Sequence, residues 1–484
     1  MLFNSIEFAI FLPIVFLIYW FVLNKNLKIQ NLLILSASYL FYGWWDWRFL
    51  SLIVFSSFID YFVGLKLEKY EDRKTRMLLL LISVFINLGF LGVFKYFNFF
   101  IDNFVSAFSF LGFQMHKTTL SIVLPVGISF YTFQTLSYSI DVYRKKLKPT
   151  KDIVAFFAFV SFFPQLVAGP IERATNLLPQ FCKTRNFDYN KAVDGMRQIL
   201  WGLFKKIVIA DNCAIYVNEI FLNYTDQSGI TLLLGGFFFA FQIYGDFSGY
   251  SDIAIGTARL FGFNLMQNFA FPYFSRDIAE FWRCWHISLS TWFRDYVYIP
   301  LGGSRGGIYS KIRNIFIIFI VSGFWHGANW TFIFWGALNA LYFLPLMLAN
   351  KNRKNTNVVA ENRVLPSIKE ILQIGSTFLL TTIAWIFFRA ENIGIAFDYL
   401  QNSVIKTLKQ PELFISIDFW WEYKYLLFFI GVLVVVEWLQ RNKKHGLELH
   451  IKPKIIRWGI YFICSLIIIL FGNLDKTEFI YFAF

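Results

Sequence analysis

The chain has 484 residues, of which 57% are hydrophobic, 21% aromatic and only 16% charged. Because soluble domains carry about 25% charged residues, this composition excludes an ordinary water-soluble fold. The net charge of +14 does not indicate a nucleic-acid partner, since the lysines and arginines lie in short loops between apolar runs. The four cysteines lack CxxC spacing, so neither a disulfide framework nor a metal site is expected.

Apolar runs approaching the ~20 residues of a membrane-crossing helix recur along the whole chain. They predict an all-α polytopic membrane protein with about 11 to 13 transmembrane helices and additional re-entrant or interfacial helices. The candidate spans are 8–23, 29–45, 49–65, 77–97, 120–141, 153–171, 195–221, 230–247, 311–325, 328–348, 372–389, 423–440 and 456–472. The first span lacks a basic leader and a cleavage site, so we expect it to be retained.

Six basic loops predict the orientation of the spans, because positive loops face the cytoplasm. These loops are 24–28, 66–76, 144–151, 302–313, 349–371 and 441–457. With all six inside, the N-terminus and the C-terminal tail are both extracytoplasmic. The parity of the spans then requires that segment 98–113 does not cross.

Two aspartates lie in the sequence QIYGDFSGYSD, residues 242–252, at the end of an apolar run. Asp246 and Asp252 are placed to orient a histidine or to line a polar cavity within the membrane. Capping of a helix end is the alternative explanation for both residues.

The segment 277–301 mixes histidine and charged residues with several tryptophans, a composition typical of an interfacial or re-entrant helix pair. Its sequence FWRCWHISLSTWFRDY contains His286, which Arg283 precedes. Histidine acts as a general base near neutral pH, and transfer of an acyl group to a hydroxyl requires a base. An interfacial helix anchored at the lipid headgroups by tryptophan and arginine is the alternative.

The sequence SGFWHGANW, residues 322–330, places His326 between two apolar runs. The run before it gives ~20 Å of helix, so we expect His326 to lie beyond the membrane midplane. An ionisable side chain at this depth is costly and marks a functional site, and we expect Gly323 and Gly327 to let the backbone break around it. The alternative is a histidine satisfied by a neighbouring helix.

Motifs of several other enzyme classes are absent. The sequence contains no phosphate-binding GxxxxGK[ST] loop, no HExxH metal helix and no GxSxG nucleophile elbow. ATPase, zinc protease and serine hydrolase functions therefore lack their usual support.

Four motifs together resemble the membrane-bound O-acyltransferases, and most closely their bacterial alginate O-acetyltransferase branch. They are PQLVAGPIER (164–173), QIYGDFSGYSDIAIG (242–256), WRCWHISLSTWFRDYVYIPLGGSR (282–305) and GFWHGANWTFIFWG (323–336). The resemblance implies that His326 is catalytic and that His286 is a second active-site residue. Candidate supporting residues are Asp246, Asp252, Arg283, Trp325 and Asn329. The implied acyl donor is acetyl-CoA as a substrate, with no tightly bound cofactor and no metal.

The C-terminal sequence EFIYFAF, residues 478–484, resembles an aromatic motif of the same branch. That resemblance implies that Tyr481 carries the acyl group to an extracytoplasmic SGNH-type acetyltransferase partner, which acetylates a polysaccharide such as alginate or peptidoglycan. It also implies a place in the cell inner membrane. Anchoring of the aromatic tail at the lipid interface is the alternative.

The predicted organisation has four parts. They are N-terminal transmembrane helices (1–119), an acyltransferase-like catalytic core (120–348), a polar cytoplasmic loop (349–371) and C-terminal transmembrane helices with the extracytoplasmic tail (372–484). A transporter or flippase of a polysaccharide export system is the competing function, because intramembrane Asp and His residues also line proton and substrate pathways. A structural subunit of an export complex is a third.

Overall fold

Helices provide the regular secondary structure throughout the residues that the computed structural model describes. These are 1–112, 123–167, 169–412, 416–449, 451, 453–473 and 479–480, with the side chain of residue 418 excepted. Within these ranges no strand is present, which confirms the all-α prediction.

The chain forms two compact units, the first comprising Met1–Gly195 with Thr257–Met266 and the second Met196–Gly256 with Gln267–Phe484. The first unit contains helices α1 (Ile6–Leu17), α2 (Leu27–Asp46), α3 (Leu50–Lys69), α4 (Arg73–Leu91), α5 (Phe97–Phe110), α6 (Ile128–Tyr143), α7 (Ile153–Val160), α8 (Phe163–Leu166) and α9 (Ala174–Phe181). Two helices contribute residues to both units: α10 (Tyr189–Leu203) and α12 (Gly229–Leu260). The second unit contains α11 (Asp211–Leu222), α13 (Ile278–Cys284), α14 (Ile287–Phe293), α15 (Ile308–His326), α16 (Trp330–Leu348), α17 (Ile368–Arg389), α18 (Ile393–Lys409), α19 (Ile417–Leu439) and α20 (Lys454–Phe471).

Among the described residues, eight helical stretches are long and apolar enough to cross a membrane, so the chain is a multi-pass membrane protein. One of them, Leu27–Lys69, contains the two 20-residue helices α2 and α3. The sequence predicted more spans than eight, partly because shorter apolar runs were also included. Two of these runs form the apolar helices Ile6–Val22 and Ile153–Leu166. Residues 98–110 continue the helical stretch that begins at Arg73, and the expectation that 98–113 does not cross stays a prediction.

Helix α12 extends well past the predicted end of its span at residue 247, because the polar residues that follow are buried within the unit. It packs tightly against the end of α10 and the segment that follows. A Cβ atom on Gly245 would lie 2.8 Å from the carbonyl oxygen of Lys205, and one on Gly249 would lie 2.8 Å from that of Gly202. Glycine at these positions therefore lets the two backbones approach closely.

Helices α15 and α16 form a tight hairpin. A Cβ atom on Gly323 would lie 2.1 Å from the carbonyl oxygen of Phe332, and one on Gly336 would lie 2.3 Å from that of Phe319. The expectation that the backbone breaks at Gly323 is wrong, because this glycine lies inside α15 and serves helix packing. The helix ends one residue before Gly327, at His326.

The segment 277–301 forms the predicted pair of short helices, α13 and α14, joined at Trp285 and His286. His286 has a φ of +44°, in the left-handed region that few non-glycine residues adopt. The junction therefore fixes an unusual backbone conformation at a predicted active-site residue.

Candidate active site

His326, the last residue of α15, is buried in an aromatic enclosure with only 3% of its surface exposed. Its ring lies 4.9 Å from Trp325, 5.3 Å from Trp335 and 5.4 Å from Phe388, measured between ring centroids. All three contacts are edge-on, with interplanar angles of 73° to 87°. These rings exclude water and fix the plane of the imidazole.

His286 occupies a second aromatic enclosure and is 1% exposed. Phe247 of α12 meets it edge-on at 4.5 Å, and Phe269 stacks near it at 6.3 Å. The left-handed backbone at the start of α14 turns this side chain inward between the two phenylalanines.

Asn268 orients the imidazole of His286. The amide oxygen of Asn268 lies 3.1 Å from His286 Nδ1 and accepts a hydrogen bond from Ser288 Oγ at 2.8 Å. The amide nitrogen of Asn268 donates to Ser251 Oγ at 3.0 Å, which assigns the oxygen to the histidine side. Nδ1 therefore carries the proton, and the lone pair on Nε2 is available as an acceptor.

The protonation state of His286 follows from its surroundings. Burial lowers the pKa of this imidazole well below its ordinary value, because the charged form is desolvated. The neutral form therefore prevails near pH 7. Among the described residues no hydrogen-bond partner reaches Nε2, so a neutral imidazole presents an unoccupied basic nitrogen to the enclosure.

The two histidines lie close enough to act on one reacting group. Their ring centroids are 6.4 Å apart, and Trp325 contacts both rings at 4.9 and 6.1 Å. A hydroxyl or carbonyl oxygen placed between the rings would be within reach of both. The structure thus brings together three predicted site residues: His286, His326 and Trp325.

Asp246 and Asp252 contact buried lysines instead of histidines. Lys206 Nζ lies 2.7 Å from Asp246, and Lys205 Nζ lies 2.6 Å from Asp252. The helix-capping alternative is wrong, because both aspartates lie inside α12. Lys205 and Lys206 were not predicted as site residues, although consecutive lysines inside the apolar run 201–210 are a signal of an intramembrane polar site.

Arg283 and Asn329 have local structural contacts. Arg283 donates to the carbonyl oxygens of Asn352 and Asn355, at 3.0 and 2.5 Å, and so anchors the polar loop that precedes α17. Asn329 is the N-cap of α16, accepts from the backbone N–H of Thr331 and donates to a carbonyl. Neither of these side-chain contacts involves the histidine pair.

The C-terminal tail enters the same unit. Phe479 is fully buried, 4.5 Å from the ring of Tyr250 and 5.9 Å from that of Phe247, the residue that also contacts His286. Ile480 is also buried. Tyr481, the predicted acyl carrier, lies outside the described residues.

Several residues that contact the histidines or the two aspartates were not predicted from the sequence. They are Phe247, Asn268, Phe269, Trp335 and Phe388, together with Lys205 and Lys206. The chain contains 62 phenylalanines, so this residue type alone gives no signal of a site.

Comparison with known proteins agrees with the geometry. Residues 147–388 match the family described as MBOAT, membrane-bound O-acyltransferase family. A probable alginate O-acetylase AlgI of Pseudomonas aeruginosa is 41% identical over 398 residues, covering 82% of this chain and 73% of that protein. A peptidoglycan O-acetyltransferase of Helicobacter pylori is 37% identical over 434 residues, covering 84% and 80%.

A more distant relative is a teichoic acid D-alanyltransferase of Streptococcus thermophilus, which is 30% identical over 286 residues, covering 55% of this chain and 68% of that protein. The family match includes both histidines, and two relatives that match more than four fifths of the chain are named as acetyl-transferring enzymes. The chain is therefore an acyltransferase and belongs to the membrane-bound O-acyltransferase family.

Proposed function

We propose that this enzyme O-acetylates an exported cell-surface polysaccharide, with acetyl-CoA as the cytoplasmic donor. The observation that carries the proposal is the pair of buried histidines, His286 and His326, 6.4 Å apart in adjoining aromatic enclosures that share Trp325. Two imidazoles sheltered from water are suited to moving a proton while protecting a reactive acyl group from hydrolysis.

The proposed reaction begins with an acceptor hydroxyl between the histidines. Its oxygen attacks the carbonyl carbon of the thioester while His326 takes the hydroxyl proton. A C–O bond forms and the C–S bond breaks. The proton then passes from His326 to the departing sulfur, so that a free thiol leaves and the imidazole becomes neutral again. Nε2 of His286, which Asn268 orients, then accepts a hydrogen bond from the S–H of the leaving thiol.

In the proposed pathway the first acceptor is the phenol of Tyr481. Its acetyl ester is then passed to a serine of an extracytoplasmic SGNH-type partner, which regenerates the phenol. Support comes from the two preceding residues, because Phe479 and Ile480 are both buried and Phe479 lies beside the ring of Phe247, which contacts His286. We propose with it that the chain lies in the cell inner membrane with both termini outside, as the basic loops predict.

The polysaccharide class is proposed from the relatives. Proteins matching more than four fifths of this chain are named for acetylation of alginate and of peptidoglycan. Both polymers lie outside the cytoplasmic membrane and bear free hydroxyls, so either is an acceptor that the proposed pathway can serve.

The test is acetyl transfer in isolated membranes supplied with radiolabelled acetyl-CoA. The C-terminal peptide of the recovered enzyme is examined by mass spectrometry for an acetyl group on Tyr481. The proposal expects acetylated Tyr481 in the wild type and none in His326→Ala. Label that reaches the polysaccharide without passing through Tyr481, and that survives Tyr481→Phe, would refute the relay.

A further inference from the structure

The C-terminal tail is hydrogen-bonded to other parts of the second unit both before residue 474 and after residue 478. On leaving α20, the chain is held by the carbonyl oxygen of Phe471, which accepts from Asn212 Nδ2 at 2.9 Å. The backbone N–H of Asn473 donates to the carbonyl oxygen of Ile207 at 3.1 Å. The tail therefore begins against the segment Phe204–Ala210, which is wound as a π-helix between α10 and α11.

The second attachment is a hydrogen bond between the tail backbone and a buried carboxylate. The N–H of Ile480 donates to Asp246 Oδ2 at 2.7 Å. The other oxygen of the same carboxylate, Oδ1, lies 2.7 Å from Lys206 Nζ. Asp246 thus uses its two oxygens on different partners, a lysine of the π-helical segment and the tail.

The charges around Lys206 explain why this carboxylate needs a further donor. The ammonium group of Lys206 also contacts Asp211 at 2.7 Å, so one positive charge serves two carboxylates. Lys206 is 1% exposed and Asp246 is 2% exposed, so water supplies little compensation. A backbone N–H aimed at a buried carboxylate oxygen is a strong, charge-assisted bond under these conditions.

The geometry of the two helical segments creates this arrangement. Glycines at positions 245 and 249 allow α12 to approach the π-helical segment closely. The π-helix itself directs two consecutive lysines, Lys205 and Lys206, into the protein interior. Such local windings are frequent at functional sites.

We infer that Asp246, held by Lys206, is a positioning residue that fastens the C-terminal tail beside the histidine pair. The fastened residues are Phe479, which packs against Tyr250, and Ile480, whose N–H is bound. The proposed delivery of acetyl through Tyr481 rests on the proposed function, whereas the fastening of the tail does not.

The test measures exposure of the tail in the full-length protein in membranes. Ile480→Cys is introduced with Cys182→Ser, since Cys182 is the exposed native thiol, and the rate of maleimide labelling is followed. Asp246→Asn is then added, because an amide has one oxygen and cannot serve both the lysine and the tail N–H. We expect labelling to accelerate about tenfold or more, the factor that corresponds to loss of one bond to a charged group.

Asp252→Asn is the matched control, because Asp252 lies on the same helix and pairs with a buried lysine but has no contact with the described tail residues. We expect it to leave labelling at position 480 slow. Equal labelling in the parent and Asp246→Asn would overturn the inference. An equal acceleration in both variants would also overturn it, since the effect would then be general loosening.

A second pair of variants leaves Asp246 intact, in case its replacement impairs folding. Phe479→Cys is labelled in chains that also carry either Ile480→Pro or Ile480→Val. Only proline lacks the N–H that Asp246 accepts, so we expect faster labelling with proline. The same rate in both would contradict the inference.

Acetylation of the polysaccharide, measured in the same cells, separates this inference from the proposed function. Faster labelling in Asp246→Asn together with undiminished acetylation in Tyr481→Phe would uphold the fastening and refute the relay through Tyr481. Unchanged labelling together with a strict need for Tyr481 would uphold the relay and refute the fastening.

Discussion

The imidazole of His286 shows how much a single side chain depends on its partners. A deep position between two apolar runs predicted His326 from the sequence, and the general-base chemistry of histidine predicted His286. Neither argument could predict Asn268, which lies 18 residues before His286 and has no charge. Asn268 acts on His286 only in the folded protein, where its amide oxygen lies beside Nδ1.

Replacement of Asn268 by aspartate tests whether His286 must be neutral. A carboxylate beside Nδ1–H favours the imidazolium form and raises the pKa of His286. In the wild type, burial lowers that pKa. In Asn268→Asp the neutral imidazole is therefore lost at a higher pH, so the acidic limb of the pH–rate profile should move to higher pH. The measurement is acetyl transfer in membranes across a pH series.

Asn392→Asp is the control for this profile. Asn392 caps α18 by accepting from the backbone N–H of Ile395, a role that aspartate performs equally well. We expect the wild-type profile from it. An acidic limb that stays in place in Asn268→Asp would show that the protonation of His286 does not limit the reaction.

At the scale of helices, the sequence predicted most apolar spans but misjudged what glycine does within them. Gly323 was expected to break a helix, whereas it permits contact between α15 and α16. The apolar pattern likewise predicted that α12 ends at residue 247. The helix continues because polar residues beyond 247 pair with buried lysines, which a hydropathy pattern does not show. Helix ends of this kind depend on contacts between segments distant in sequence.

Gly323→Ala should destabilise the protein. The new Cβ would meet the backbone of Phe332, and overpacking of this kind costs about 1–3 kcal/mol. Gly375→Ala is the control, since no atom lies within 4 Å of a Cβ placed there and alanine favours helix by up to about 1 kcal/mol. Thermal unfolding of the purified protein in detergent should show a lower Tm only for Gly323→Ala. Equal Tm values would refute the packing role.

The polar loop 349–371 is held in place by hydrogen bonds from residues in α13 and just after α19. Arg441 donates to the carbonyl oxygens of Val359 and Ala360 at 2.9 and 2.8 Å. Arg441→Ala should release this loop and accelerate tryptic cleavage within it several-fold. Lys454→Ala, which removes an exposed charge at the start of α20, should not. Unaltered cleavage in Arg441→Ala would contradict the anchoring.

At the scale of the whole molecule, composition sufficed to predict a polytopic membrane protein, and four motifs sufficed to predict its family. The two units could not be foreseen, because each combines segments from separate parts of the chain. The same limit applies to the tail, since Ile480 and Asp246 are 234 residues apart. The sequence-based boundaries at 119, 348 and 371 stay predictions.

The orientation of the chain in the membrane is a prediction about the whole molecule. Lys351→Cys, in the predicted cytoplasmic loop, should be inaccessible to an impermeant maleimide in intact cells. The protein also carries Cys182→Ser, because Cys182 is exposed. A cysteine added before Met1 should be labelled from outside. The reverse pattern would invert the topology and exclude an extracytoplasmic tail.

The measurement that tests the central claim most directly is the O-acetyl content of the surface polysaccharide in cells carrying wild type or His326→Ala, with equal amounts of each protein in the membrane. Loss of a general base lowers a rate by about 10²–10⁴-fold, so His326→Ala should leave almost no acetylation. Full acetylation by this variant would contradict a catalytic role for the buried histidine pair.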